Sequence, residues 1–175
     1  LAQRSPRLER PIVVFLGPSL PVDEARRTLR ARYLSPARCG DVLRVRRLKP
    51  RAIAIVDGLF ESVAAVWHKE ILLALEDGIA VYGASSMGAL RAAELEPFGM
   101  IGIGKIFEAY RDGIYTDDDE VALLHGPAAR GYFEMSEAMV NIRATVARAV
   151  DIGVITAAFG AWVIRCAKDT FYQER

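Results

Sequence analysis

The sequence predicts an α/β fold in which three or more mostly parallel strands are joined by crossover helices and followed by a helical C-terminal half. Three observations carry that expectation. Apolar runs at 12–16, 52–56 and 79–82 show no polar alternation, as strands buried on both faces do. Each run meets a turn of small residues and then a helix-forming stretch, the alternation that yields a parallel sheet with right-handed crossovers. After Pro97 the pattern turns mainly helical. One domain over 1–175 is expected, with an α/β part at 10–97 carrying the site and a mainly helical part at 98–175.

Taken in order, Pro11 to Leu16 is the first strand, bounded by Gly17-Pro18-Ser19. Ser19 can cap the helix that follows, with Pro21 in its first turn and Asp23 and Glu24 at its positive end. That helix is expected to end near Arg32, and Val42 to Val45 reads as a short strand. Arg44, Arg46, Arg47, Lys49 and Arg51 form a basic patch without interleaved aromatics, which reads as a solvated helix end. Ala52 to Val56 is the second strand, turning at Asp57-Gly58. A helix is expected from Glu61 to Asp77, with Val63, Val66, Trp67, Leu73 and Ala74 on its apolar stripe and Gly78 at its C-terminal cap. Ile79 to Tyr82 is the third strand, followed by a helix from Ser86 to Glu96.

Beyond Pro97, Gly99, Gly102 and Gly104 interrupt the chain before a short helix at 106–112. Asp117-Asp118-Asp119-Glu120 opens an expected helix from Val121 to His125, and the helix dipole explains four acids there better than a Mg²⁺ site would. Met139, Ile142, Val146 and Val150 mark a long amphipathic helix, and a last helix is expected from Thr156 to Phe171.

Composition limits the function classes. With 52% hydrophobic and 26% charged residues in 175, the chain can bury a substantial core and is not disordered. A formal charge of +1 recommends neither nucleic acid nor an anionic membrane as partner. Cys39 and Cys166 have no disulfide or zinc spacing, residues 1–10 do not read as a signal peptide, and no apolar stretch reaches the ~20 residues a spanning helix needs. A cytoplasmic protein is therefore expected. There is no Walker A motif, no G-x-G-x-x-G and no H-E-x-x-H, so no cofactor and no metal are expected.

In a parallel sheet the ligand lies beyond the carboxyl ends of the strands, which gathers the turns at Gly17-Pro18-Ser19, Asp57-Gly58 and Ala84-Ser85-Ser86 on one edge. Read from Ala84, small-x-Ser-x-Gly places Ser86 where a nucleophile elbow places its serine. Ser85 or Ser86 can equally serve as the helix N-cap. As a site, the candidates are Ser86 as nucleophile, His68 or Lys69 as base, Asp57 as the orienting group and Ser19 as a second hydroxyl. Gly17, Gly58, Ser85, Met87, Gly88 and Arg91 are the expected substrate-binding set. His125 reads as a cation at a helix C-terminus.

Blocks at 12–20, 56–61, 66–72, 83–95, 106–113, 117–122 and 136–145, among them Val-Trp-His-Lys-Glu-Ile-Leu and Gly-Ala-Ser-Ser-Met-Gly-Ala-Leu-Arg-Ala-Ala-Glu-Leu, closely resemble the TfuA-like family. The resemblance implies a protein that works beside a YcaO-type enzyme in making backbone thioamides on ribosomal peptides. It implies hydrolysis of the C-terminal thiocarboxylate of a ubiquitin-like sulfur carrier, releasing sulfide that the partner installs with ATP. Cys39 is not a cysteine position of that family pattern, which argues against a persulfide there. The alternative is a non-catalytic docking or activating partner of the YcaO enzyme. For either, the region 98–113 with Arg111 and the acids at 117–120 is the expected partner surface.

Overall fold

A computed structural model describes residues 10–59 and 63–175. Five strands, β1 (Ile12–Phe15), β2 (Arg32–Leu34), β3 (Ala52–Ile55), β4 (Ala80–Ala84) and β5 (Ile101–Ile103), form one sheet in the order β2-β1-β3-β4-β5. Every pairing is parallel, with Phe15 opposite Ile55 and Ile55 opposite Gly83 across the centre. The three expected strands are thus adjacent and parallel.

Alternation along the strands sorts side chains onto two faces. Val13, Phe15, Ile53, Ile55 and Val81 point to one face and join the main core, which α2 (Asp41–Arg46), α3 (His68–Glu76), α4 (Met87–Leu95) and α5 (Lys105–Arg111) cover with Val42, Ile71, Ala89 and Phe107. Val14 and Leu16 point to the other face, where α1 (Val22–Thr28) contributes Ala25. A shallow apolar surface of about 310 Å³ remains beside α1, reaching Tyr82, Ala84 and Ile103.

Several boundaries differ from those expected. The first helix ends at Thr28, and the chain then adds β2 along the outer side of β1. Residues 42–45 are helical rather than extended. Their β-branched residues face the core one helical turn apart, and the carboxylate of Glu70 accepts the N–H groups of Gly40, Val42 and Leu43 at the start of α2. The helix expected at 61–77 begins at His68, because Glu70 also accepts the N–H of Trp67 and so fixes the first turn there. Positions 61 and 62 of that expectation lie outside the described residues, as does the reading of 1–9. Gly78, at φ +72°, follows the helix end as expected.

The glycine-interrupted segment after Pro97 supplies β5, where the Phe107 ring packs so closely on Gly102 that a Cβ there would fall 2.1 Å from it. Past it, the expected helix at 121–125 does not form: a single 3-10 turn spans Asp118–Glu120 and the chain then extends. It pairs back on itself through an isolated bridge between His125 and Glu134, with Leu124 accepting from Met135. The fold ends in an antiparallel pair, α6 (Met139–Asp151) and α7 (Ala157–Asp169). No described helix is long and apolar enough to cross a membrane.

Candidate functional site

The order β2-β1-β3-β4-β5 places a topological switch between β1 and β3: the chain leaves β1 toward β2 and leaves β3 toward β4. Loops that diverge in this way open a crevice at the carboxyl edge of the sheet. Asp57 stands at the end of β3 in that crevice and is 1% exposed. Its Oδ2 accepts the N–H of Gly17 at 2.7 Å and of Ser19 at 3.3 Å, and its Oδ1 accepts the Ser19 hydroxyl at 2.6 Å. Of the two expectations for Ser19, a helix cap and a hydroxyl at the sheet edge, the cap does not form: Pro21 stands at the N-cap of α1, and the Ser19 hydroxyl donates to Asp57.

The third turn completes the chain of hydroxyls. Ser85 Oγ donates to Ser19 Oγ at 2.8 Å, so Ser85, Ser19 and Asp57 form a continuous hydrogen-bond relay from three separate strand ends. Ser85 carries the strand-to-helix turn at φ +59°, a conformation that costs a non-glycine residue energy. Ser86 follows at the N-cap of α4 without a capping hydrogen bond from its side chain. Of the N–H groups at the start of α4, that of Gly88 donates to the Val56 carbonyl at 3.3 Å and that of Ala89 to the Ser86 carbonyl at 3.1 Å, which leaves the Ser86 and Met87 N–H groups beside Ser85 at the positive end of the helix dipole.

Burial pushes the Asp57 carboxyl above its ordinary value, and it outweighs the opposing hydrogen bonds from Ser19 and Gly17 and the nearby His125. The crevice is roofed by the C-terminal half. His125, Leu123, Val121 and Tyr172 line one small recess with Asp57 and Ser86. Glu134 and Asn141 line a second, with Ser19 and Ser85. The Glu134 carboxyl is raised by burial, with further contributions from Glu137 and Asp57. His125 Nδ1–H donates to the Gly126 carbonyl at 3.1 Å, and the ring meets that of Tyr132 edge-on with centroids 5.4 Å apart.

The structure thus brings together Ser19, Asp57, Ser85 and Ser86, and places other candidates elsewhere. His68 Nε2 lies 2.8 Å from Glu94, which also accepts from Arg91 Nη1 at 2.6 Å. Glu94 is eight residues beyond Ser86 on α4, or ~12 Å along the helix axis. Lys69 is exposed on the same turn of α3 as His68. Arg91 also donates to the Val66 carbonyl at 3.0 Å and so ties the segment before α3 to α4. Met87 is 2% exposed, in the core.

The glycines of the set serve close packing. A Cβ on Gly88 would fall 1.8 Å from the Ile55 carbonyl oxygen, and one on Gly83 would fall 2.1 Å from that of Gly88. Gly17 and Gly58 similarly admit Pro36 and Met87. His125 and Glu134 were not legible as site residues: His125 was one of only two histidines, but its position depends on a hairpin that local pattern does not announce. Among the described residues, no group of three or more His, Cys, Asp or Glu is placed to hold a metal ion. Cys39 is half-buried beside the Ala64 carbonyl, and Cys166 is exposed on α7.

The expected partner surface at 117–120 is largely engaged within the molecule. Lys168 reaches Asp117, Asp119 and Glu120 at 2.7 to 3.1 Å, Arg143 grips Glu120 with two 2.8 Å bonds, and Arg175 pairs with Asp119. Arg111 pairs with its neighbour Asp112.

At the switch point of a parallel α/β sheet, two serines are thus joined by hydrogen bonds to a buried carboxylate beside the start of α4. No curated protein matches the chain. The sequence profile of the TfuA-like proteins matches residues 57–175, more than half of its length, and the chain belongs to the TfuA-like protein family.

Proposed function

We propose that the protein hydrolyses the C-terminal thiocarboxylate of a small ubiquitin-like sulfur-carrier protein and releases sulfide for a YcaO-type enzyme that forms peptide backbone thioamides. The observation that supports this most is the Ser85–Ser19–Asp57 relay at the start of α4. In this reading Ser85, rather than Ser86, is the nucleophile, because the elbow strain and the relay both fall on it.

Ser85 Oγ attacks the thiocarboxylate carbonyl, and its proton passes to Ser19 while the Ser19 proton passes to Asp57. The oxyanion of the tetrahedral intermediate faces the N–H groups of Ser86 and Met87. Asp57 returns its proton to Ser19, whose own hydroxyl proton passes to the sulfur as the carbon–sulfur bond breaks, and sulfur leaves as hydrosulfide while Ser85 Oγ stays bonded to the acyl carbon. Water then cleaves the Ser85 ester, restoring the hydroxyl and leaving a carboxylate. The net change is thiocarboxylate plus water to carboxylate plus hydrogen sulfide. A carboxyl that burial has raised suits a group that must both take and give back a proton at moderate pH. His125 steadies the charge on Asp57, and His68 and Lys69 act at a distance from the chemistry.

The test is sulfide release from a purified thiocarboxylated carrier with neither the YcaO enzyme nor ATP present. The hydrolase releases sulfide under those conditions. A protein that only docks to or activates its partner releases none.

A further inference from the structure

Among the described residues β2 is the outermost strand of the sheet and is paired only with β1, so its outer edge has no strand partner there. Between β2 and α2 lies a groove of about 470 Å³. Its floor is apolar, formed by Phe15, Leu34, Pro36 and Val45, and its rim carries Arg32, Arg38 and Arg44. Asp41 is the one acid lining it, engaging Arg44 at 2.6 Å and Arg38 at 3.7 Å. Arg32 has no acidic partner among the described residues. Two positive charges are thus left in excess over an apolar floor, and the rim selects for acid.

The groove is continuous with the candidate site. Pro36 and Leu59 line both its inner end and the recess that holds Asp57. Tyr132, also at the inner end, meets the ring of His125. From Arg32 to Pro36 the chain spans four residues, or ~13 Å at a strand's rise, which accommodates four or five residues of extended peptide leading to the crevice. An open strand edge provides backbone pairing for such a peptide, and the arginines provide its selectivity.

We infer that this groove receives the extended, acid-bearing C-terminal tail of a protein, with acidic side chains of the tail held by Arg32, Arg38 and Arg44 and its terminal acyl group delivered to Ser85. The nature of that terminal group rests on the hydrolase reading above, whereas the extended shape and the charge rest on the groove alone. Its two aromatic residues, Tyr132 at the inner end and Phe15, which is 1% exposed, do not provide the exposed stacking faces that single-stranded nucleic acid uses.

The experiment measures fluorescence anisotropy of short labelled synthetic peptides, identical except for acidic, neutral or lysine residues just before a free C-terminal carboxylate. The wild-type protein binds the acidic peptide best. Arg32→Glu combined with Arg38→Glu, both exposed positions whose folding is checked by circular dichroism, weakens that binding by roughly tenfold or more and improves binding of the lysine peptide. With thiocarboxylated carrier, the same double variant raises KM by a similar factor and keeps kcat. Equal affinity for the three peptides, an unchanged affinity in the double variant, or displacement of the acidic peptide by a single-stranded oligonucleotide at lower concentration than by unlabelled peptide overturns the proposal. A wild-type protein that binds the acidic peptide through these arginines yet releases no sulfide leaves the groove standing and removes the hydrolase reading. Sulfide release with a KM that the double variant does not move removes the groove and leaves the hydrolase.

Discussion

Ser85 and Ser86 are neighbours in sequence with different surroundings, and a pair of substitutions separates their roles. Ser85→Ala removes both the hydroxyl at the strained turn and the donor to Ser19, and sulfide release falls by several orders of magnitude. Ser86→Ala retains the backbone N–H and leaves a substantial rate, since its side chain makes no capping bond whose loss would matter. Single-turnover sulfide release on the two variants checks this, and a reversed ranking assigns the nucleophile to Ser86. Asp57 makes a pH prediction with a definite sign. The relay works when Asp57 is ionised, and burial raises its carboxyl above 3.8, so kcat/KM climbs with pH along a limb that lies above the ordinary aspartate range. Asp57→Asn removes that limb along with most of the rate. Stability runs the other way for this group: its contribution is present below the ordinary aspartate value and is lost as pH rises through the higher folded value.

At the scale of elements, two packing devices hold the site edge in place. Glu70 is buried and accepts from the N–H groups of Gly40, Val42, Leu43 and Trp67, so one carboxylate closes the starts of both α2 and α3. Glu70→Ala strands those donors and costs about 2–3 kcal/mol, read by urea denaturation. The second device is the close seating of α4 on β3 and β4 through Gly83 and Gly88. Gly88→Ala sets a methyl group against the Ile55 carbonyl and must displace the helix, which carries Ser85 away from Ser19. The expected result is a loss of stability of about 2 kcal/mol or more together with a loss of activity. Activity kept at the wild-type level would show that the relay tolerates movement of α4. Strand and helix identities at β1, β3, β4 and α4 were legible because uninterrupted apolar runs and small-residue turns are local signals. β2 and β5 were not, since three-residue strands carry too little pattern and form only where a neighbour offers an edge.

For the whole molecule, the C-terminal half is fastened by charge. Burial is the largest influence on the Glu120 carboxyl and alone would raise it, but Arg143 and Lys168 together hold it below 4.5. Asp119 likewise lies below 3.8, burial being outweighed by Lys168 and Arg175. Depressed carboxyls contribute stability that is present above their unfolded values and lost as pH falls through the folded ones, so the fold weakens below about pH 4. Glu120→Gln flattens this acid dependence. It also lowers stability near neutrality by about 1–3 kcal/mol, the lower end reflecting the partial exposure of Arg143 and Lys168. Thermal unfolding across pH 3 to 7 for the two proteins checks both effects. The same network engages Asp117, Asp119 and Glu120 of the expected partner surface within the molecule.

By itself the sequence determined the parallel α/β class and the common edge of three turns that sets Ser19 beside Asp57, because hydrophobic runs and the handedness of crossovers act over short stretches of chain. Only the tertiary structure decided that Ser85 completes the relay, that His68 is drawn to Glu94 and that His125 and Glu134 roof the crevice. Those outcomes follow from which helix starts where and from how a later hairpin folds over an earlier edge. Such contacts join residues far apart in the chain, and their energy depends on burial and charge that exist only after the chain has packed.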